Sequence, residues 1–155
     1  MAFLVESLRR GLGAGAPQGA WKLARRQTVE VNVSIPANTP VSATTPATIT
    51  VDPKVGAVSQ FTIPKNNRFV LVDAYIKSTA DIGVDGIARL KRNFFIDHVV
   101  TPPVSTLYVG NPSRPTVTPK AWEEGDTISV EFNNLEAVAT ATTVKFYLVF
   151  DVFER

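Results

Sequence analysis

The side chains best suited to chemistry in this sequence are few, and His98 is the first to consider. It is the only histidine, and Asp97 precedes it, so two residue types of an acid–base relay stand side by side. Adjacent residues of a β-strand point to opposite faces, which keeps these two side chains apart if the segment is a strand. The Gly-x-Ser-x-Gly motif that presents a nucleophilic serine is also missing. We predict that His98 is structural or exposed, that no residue is catalytic, and that the protein is not an enzyme.

Metal ligands are equally scarce, because the sequence has no cysteine and one histidine. Asp81, Gly83, Asp85 and Gly86 are spaced like the start of a calcium-binding loop, but the twelfth position of that loop is Arg92, a cation that cannot serve as a ligand. An ordinary Asp/Gly turn is the better interpretation. We predict no metal and no cofactor.

Three carboxylates lie close together at Glu123, Glu124 and Asp126. A glycosidase needs a second carboxylate on the opposing wall of a cleft, and nothing in the sequence marks one, so we predict solvated turn charges. The same turn lies near Trp122 and Tyr108, and aromatic faces beside acids do bind sugars. A carbohydrate- or ligand-binding β-sandwich module is therefore an alternative prediction.

A basic cluster in the body of the chain consists of Arg89, Lys91 and Arg92. Residues 89 and 91 share a face of the predicted strand and could contact phosphate. No aromatic residue is interleaved on that face for base stacking, so a solvated outer face is favoured.

The element that must organise the fold is the last one, residues 142–153. No Gly or Pro interrupts it, and β-branched and aromatic residues dominate, which predicts one long β-strand. One face is wholly apolar and must enter a core; it consists of Val144, Phe146, Leu148, Phe150 and Val152. The other face is mixed, and its apolar members lack obvious cover. We predict a candidate subunit interface there, formed by Tyr147, Val149 and Phe153.

The rest of the body, residues 28–155, shows period-two alternation in segments separated by turn signals. Such segments are residues 28–35, 68–78, 87–100 and 127–132, with inward-facing sets predicted at 29–35, 70–76 and 128–132. About eight strands with no helix between them indicate an all-β fold. The length of the strands favours an antiparallel eight-stranded jelly-roll sandwich.

Residues 1–27 differ from this body and predict a basic amphipathic N-terminal arm. Met1, Val5, Leu8 and Leu12 recur at helical spacing, which predicts a short amphipathic helix, and several glycines follow. Residues 1–26 carry five basic side chains and one acidic, a net charge of +4. The pattern does not fit a secretory signal. We predict contacts with a membrane, nucleic acid or a neighbouring subunit through Leu4, Leu8, Arg9, Arg10, Trp21, Lys22, Arg25 and Arg26.

Three segments carry a resemblance to a known class of proteins: Ile63-Pro64-Lys65-Asn66-Asn67-Arg68-Phe69, Glu124-Gly125-Asp126-Thr127-Ile128 and the closing strand 142–153. With these segments, residues 28–155 resemble the single jelly-roll capsid and virion structural proteins of icosahedral double-stranded DNA viruses of bacteria or archaea. The resemblance implies a structural virion protein that self-assembles through its β-sandwich and its arm. It also implies a homo-oligomer that contacts other capsid proteins, with residues 1–26 meeting an inner membrane or the genome. No small-molecule substrate is implied, and the expected location is the virion, assembled in the host cytoplasm.

Overall fold

A computed structural model describes residues 20–95 and 97–155, which form ten β-strands and two short 3₁₀ turns. The strands are β1 (Lys22–Ile35), β2 (Thr44–Pro46), β3 (Thr48–Thr50), β4 (Phe61–Thr62), β5 (Asn67–Tyr75), β6 (Gly86–Arg92), β7 (Asp97–Val100), β8 (Lys120–Trp122), β9 (Thr127–Asn134) and β10 (Thr142–Glu154). The 3₁₀ turns are Thr79–Asp81 and Val104–Leu107. Neither turn, nor any other helical segment in this part of the chain, is long and apolar enough to cross a membrane. The predicted N-terminal helix falls outside the described residues.

The strands form two antiparallel sheets that face each other as a sandwich. One sheet has the order β3-β1-β10-β5-β8, and the other has the order β2-β9-β6-β7 with β4 also pairing with β9. The prediction of an all-β antiparallel sandwich is confirmed.

β10 lies at the centre of the first sheet, paired with β1 along 13 registered positions and with β5 on its other side. Its predicted apolar face is confirmed, since Val144, Phe146, Leu148, Phe150 and Val152 are all 1% exposed or less. The inward faces predicted for β1 and β9 are also buried, and the three strands supply much of one continuous hydrophobic core. Burial of alternate residues on facing sheets is what holds such a sandwich together.

The inward face predicted for residues 70–76 is wrong in its first half. Phe69 and Leu71 point into the core, whereas Val70 is only partly buried. The cause is a β-bulge: Val149 of β10 pairs with Asp73, but the next residue, Phe150, pairs with Leu71, so Val72 is an extra residue in β5. A bulge reverses which side chains face inward beyond it. Ala74 and Ile76, after the bulge, are fully buried as predicted.

The single strand predicted over residues 87–100 is a hairpin of β6 and β7. Asn93 and Phe94 have φ angles of 56° and 64°, in the left-handed region that reverses a hairpin. Phe94, in the middle of the segment predicted as one strand, is 57% exposed at the tip of this hairpin. We call residues 93–95 the hairpin tip.

β1 begins at Lys22, six residues before the predicted start at residue 28. β10 extends to Glu154 and gives these residues partners, with Lys22 opposite Glu154 and Arg26 opposite Asp151. The start of β1 and the end of β10 thus lie at one end of the sandwich. The turn 123–126 is at this end too, because Arg155 Nη2, just after β10, lies 2.8 Å from Glu124 Oε1. The hairpin tip joins the same turn through the hydrogen bond that Asn93 Nδ2 donates to Asp126 Oδ1. We call this end of the sandwich the arm end.

Candidate functional site

The chain enters the sandwich at Trp21, whose indole ring lies against two guanidinium groups. The Cζ atom of Arg68 is 4.5 Å from the ring centroid, and that of Arg155 is 4.6 Å away. Both distances suit cation–π attraction, which is strongest for tryptophan. Arg68 lies at the start of β5 and Arg155 follows β10, so Trp21 is fixed to two separate strands of the first sheet.

Both arginines are held in turn by the carboxylate turn 123–126. Arg68 Nε is 2.8 Å from Glu123 Oε1, and Arg155 Nη2 is 2.8 Å from Glu124 Oε1. The turn has the tight geometry this requires, with Gly125 at φ +85°. These carboxylates, predicted to be solvated turn charges, therefore complete a cluster that we call the arm anchor: Trp21, Arg68, Arg155, Glu123 and Glu124.

The arm anchor fixes Trp21, and with it the start of β1, to the body of the sandwich. Of the predicted arm contacts, Leu4, Leu8, Arg9 and Arg10 lie outside the described residues. Trp21 is in contact with the body instead of projecting from it. Because two cations already lie against its ring, Trp21 acts here as an internal fastening and not as a free aromatic surface.

The remaining predicted arm residues, Lys22, Arg25 and Arg26, belong to β1. Arg25 Nη1 lies 3.2 Å from Glu154 Oε2. Two guanidinium nitrogens of Arg26 donate to Asp151, Nε to Oδ1 at 2.8 Å and Nη2 to Oδ2 at 3.2 Å. The hydrogen bond and charge of Asp151 raise the pKa of Arg26 further above its usual value. Both arginines are thus paired across the strand within this chain, and neither is a free cation on an arm.

The predicted subunit interface on β10 is largely covered by neighbouring strands. Tyr147 is 8% exposed, because Tyr75 of β5 stacks on it at 5.3 Å between ring centroids and Lys77 Nζ lies 4.6 Å from its ring. Val149 is 7% exposed, with Thr28 and Asp73 opposite it on the two adjoining strands.

The third interface residue, Phe153, is partly buried at the arm end of the same face. It lies directly opposite Leu23 of β1, whose side chain is 60% exposed. Paired residues of antiparallel strands point to the same face, so these two side chains form an apolar patch on the outer face of the first sheet. The exposed apolar surface predicted along β10 is therefore concentrated at its end.

No protein-family model matches this chain, and no curated protein matches it.

Trp122, the aromatic residue on which the sugar-binding alternative depends, is not at the surface. Trp122 is fully buried, packs against the rings of Phe150 and His98, and donates a hydrogen bond from Nε1 to the Lys91 carbonyl at 3.2 Å. It has no face to offer a sugar. The prediction placed it on the surface because adjacent carboxylates suggested an exposed turn, whereas β8 directs its side chain inward.

His98 and Asp97 do not form a pair. Asp97 accepts a hydrogen bond from Arg89, while the His98 ring lies 4.6 Å from that of Trp122. Burial, and next the charge of Arg92, lower the pKa of His98, so the ring is neutral near pH 7. Among the described residues, no three His, Cys, Asp or Glu side chains are grouped as a metal site requires.

The basic cluster of the body is mostly neutralised. Arg89 pairs with Asp97, and Lys91 Nζ lies 3.0 Å from Glu131 Oε1. Arg92 is exposed and pairs with no carboxylate in the described part of the chain. Arg92 is thus the cluster member left to meet an anion.

The hairpin tip is the feature that the sequence reasoning missed. Phe94 is 57% exposed and Phe95 is 76% exposed. The available signal was the adjacency of the two phenylalanines, since two consecutive apolar residues break the alternation of a half-buried strand. Asn93 before them is a residue that tolerates the left-handed region of a turn.

Proposed function

We propose that this protein is a virion structural protein, a capsid or capsid-associated subunit, that self-assembles through a jelly-roll body and an N-terminal arm. The observation that carries the proposal is the pairing of the strands. Leaving out β3, three residues at the edge of the first sheet, and β4, two residues outside the main order of the second sheet, eight strands remain in chain order. Of these, the first pairs with the last, as β1 with β10, and the second with the seventh, as β2 with β9.

The nesting continues inward along the chain. The third strand pairs with the sixth, as β5 with β8, and the fourth with the fifth, as β6 with β7. Nested strand pairs of this kind, distributed alternately between two facing sheets, are the pairing expected of an eight-stranded jelly roll. Viral capsid proteins and lectins share that plan, so the pairing supports the fold and leaves the function to other features.

The arm anchor favours the capsid class. It fastens Trp21 to one end of the sandwich through Arg68 and Arg155, directly after residues 1–20, which carry Arg9 and Arg10 against Glu6 for a net charge of +1. A segment leaving from a fixed point can reach a neighbouring subunit, an inner membrane or the genome. The partners proposed are therefore further copies of this chain and other capsid proteins, and the proposed location is the virion, assembled in the host cytoplasm.

The patch of Leu23 and Phe153 is the proposed contact between subunits. It lies on the outer face of the first sheet, next to the arm anchor. A stable contact buries about 800 Å² on each partner, so the patch would form the centre of a larger area that includes the flanking ion pairs of Arg25 and Arg26.

The test is the association state of the full-length chain, measured by sedimentation velocity across a wide range of concentration. Association beyond the monomer is expected, and Phe153→Ser with Leu23→Ser weakens it while the far-UV circular dichroism spectrum stays unchanged. Val109→Ser is the matched control, because Val109 is 51% exposed away from the patch. A monomer at every concentration, together with absence of the protein from any particle fraction, would refute the proposal.

A further inference from the structure

The hairpin tip exposes more aromatic surface than any other adjacent pair of described residues. Phe94 is 57% exposed and Phe95 is 76% exposed. Solvent-exposed phenylalanine is costly to keep, because apolar surface in water is unfavourable and invites aggregation. The tip lies at the arm end, apart from the patch of Leu23 and Phe153 on the outer face of the first sheet.

The backbone at the tip is unfavourable for the residue it carries. Phe94 has φ +64°, a conformation that glycine or asparagine adopts readily and a bulky side chain rarely does. Asn93 before it has the residue type expected at such a turn. A strained aromatic residue on the surface helps neither the turn nor the core, which points to a role outside the monomer.

The tip is nevertheless presented from a rigid support. Asn93 Nδ2 donates to Asp126 Oδ1 at 3.1 Å, and the backbone N–H of Thr127 donates to Asn93 Oδ1 at 2.7 Å. Asp126 also accepts the backbone N–H of Glu123 at 2.9 Å through Oδ2. These bonds fasten the tip to the carboxylate turn and thus to the arm anchor, so the two phenylalanines project from a fixed position.

The charges around the tip leave a positive balance. Arg92 and Lys120 are exposed, both lie close enough to His98 to lower its pKa, and neither pairs with a carboxylate among the residues that the structure describes. Asp97 is paired with Arg89, whereas Asp126 keeps its negative charge, because its donors are the uncharged Asn93 amide and the Glu123 backbone N–H. Arg89, Arg92 and Lys120 against Asp97 and Asp126 leave a net charge of +1. His98 itself is neutral near pH 7. An anionic surface would therefore be attracted to this position.

The geometry points to insertion of Phe94 and Phe95 into the interface of an anionic lipid bilayer, with Arg92 and Lys120 against the lipid phosphates. The two phenylalanines offer about 250–300 Å² together, well below the roughly 800 Å² per partner of a stable protein contact. A bilayer needs no surface complementary in shape. It binds a projecting apolar tip in its acyl region and the flanking cations at its anionic headgroups.

This inference does not depend on the protein being a virion subunit. The test uses the full-length chain in flotation assays with vesicles of phosphatidylcholine alone and of phosphatidylcholine with one quarter phosphatidylglycerol. The wild type is expected to float with the anionic vesicles. Phe94→Asn with Phe95→Ser should weaken that binding by at least about tenfold, since the inserted aromatic groups supply the apolar part of interfacial binding. Asparagine is used at position 94 because it tolerates the positive φ.

The matched control is Val41→Ser with Leu135→Ser, two residues that are 55% and 44% exposed at the opposite end of the sandwich. This variant should bind as the wild type does. Arg92→Gln with Lys120→Gln should weaken binding to the anionic vesicles more than to the neutral ones. If the double tip variant fails to fold, as judged by circular dichroism, Phe95→Ser alone gives the same test, because residue 95 does not have a positive φ.

Three results would overturn the inference. The wild type could fail to float, the tip variant could bind as well as the wild type, or the control at the opposite end could lose binding equally. If instead the tip variant altered association of the protein without lipid, the tip would be a protein contact and the bilayer proposal would be wrong. Self-assembly of the wild type is measured separately, so failure of one proposal leaves the other open to its own test.

Discussion

Replacing Trp21 with alanine tests whether the arm anchor is an energetic fastening. The ring lies 4.5 and 4.6 Å from the guanidinium carbons of Arg68 and Arg155. Two partly exposed cation–π contacts contribute about 1–2 kcal/mol together, and the lost apolar contact of a partly buried tryptophan adds about 1 kcal/mol. The free energy of unfolding should fall by about 2–3 kcal/mol, which lowers Tm by roughly 5–10 °C in a chain of this size.

Urea unfolding followed by far-UV circular dichroism is the suitable assay, because fluorescence would change with the loss of one of the two tryptophans. Trp21→Phe keeps a ring and should lose less than half as much stability as Trp21→Ala. Val55→Ala is the control: Val55 is 71% exposed outside the arm anchor, and its replacement should change stability by no more than about 0.5 kcal/mol. A double-mutant cycle of Trp21→Ala with Arg155→Gln should give a coupling energy of about 0.5–1 kcal/mol.

If Trp21→Ala unfolded at the same urea concentration as the wild type, Trp21 would not be an energetic fastening. A coupling energy of zero to Arg155 would refute the cation–π contact, because Trp21 would then contribute apolar contact without attracting the cations.

Three further predictions concern the body. The free energy of unfolding should fall as the pH drops below about 6.5, because the unfolded histidine then binds a proton and His98 in the folded state, with its lowered pKa, does not. In urea titrations between pH 7.5 and 5.5, His98→Gln should make this dependence on pH weaker. Trp122→Ala should cost about 3–5 kcal/mol by the same assay, whereas a cost below 1 kcal/mol would contradict its place in the core. Val149→Lys should lower Tm because Val149 is only 7% exposed, yet the chain should still fold because Asp73 lies opposite and can pair with the lysine. An unchanged Tm would mean that this face is not packed.

The sequence was sufficient to predict the sandwich because β10, β1 and β9 each place every second residue in the core without interruption over the buried span. Tyr147 and Val149 of β10 are buried in addition, on the opposite face of the strand. The register between neighbouring strands could not be predicted from the alternation along each strand. The bulge at Val72 depends on how β5 meets β10, and a pattern read along one strand holds no information about its partner.

The hairpin of β6 and β7 shows a second limit. Asn93 was a turn signal, but Phe94 after it replaces the glycine that normally accompanies such a turn, so residues 87–100 resembled one strand. The cover over Tyr147 likewise comes from Tyr75 and Lys77, which lie 72 and 70 residues away in sequence. Lateral contacts between strands removed exposed surface that the sequence alone attributed to β10.

The candidate site was predictable in its residue types and not in its connections. Trp21 was predicted as an arm contact together with the cations that follow it in sequence, yet the cations that hold it are Arg68 and Arg155. Their own partners, Glu123 and Glu124, looked like solvated charges. Attraction between groups brought together from four separate segments depends on the tertiary fold, which a local pattern cannot supply.

Hydrogen bonds and ion pairs join the arm anchor to the hairpin tip, and this connects the two proposals. Asp126 joins the tip, through Asn93, to the turn whose Glu123 and Glu124 hold the arginines on Trp21. A surface that bound both the basic N-terminal segment and the exposed phenylalanines would therefore be met by one rigid end of the sandwich. The patch of Leu23 and Phe153 lies beside that end on the outer face of the first sheet. A subunit could in this way contact its neighbours sideways through the sheet while its arm end faces a lipid surface, with neither contact obstructing the other.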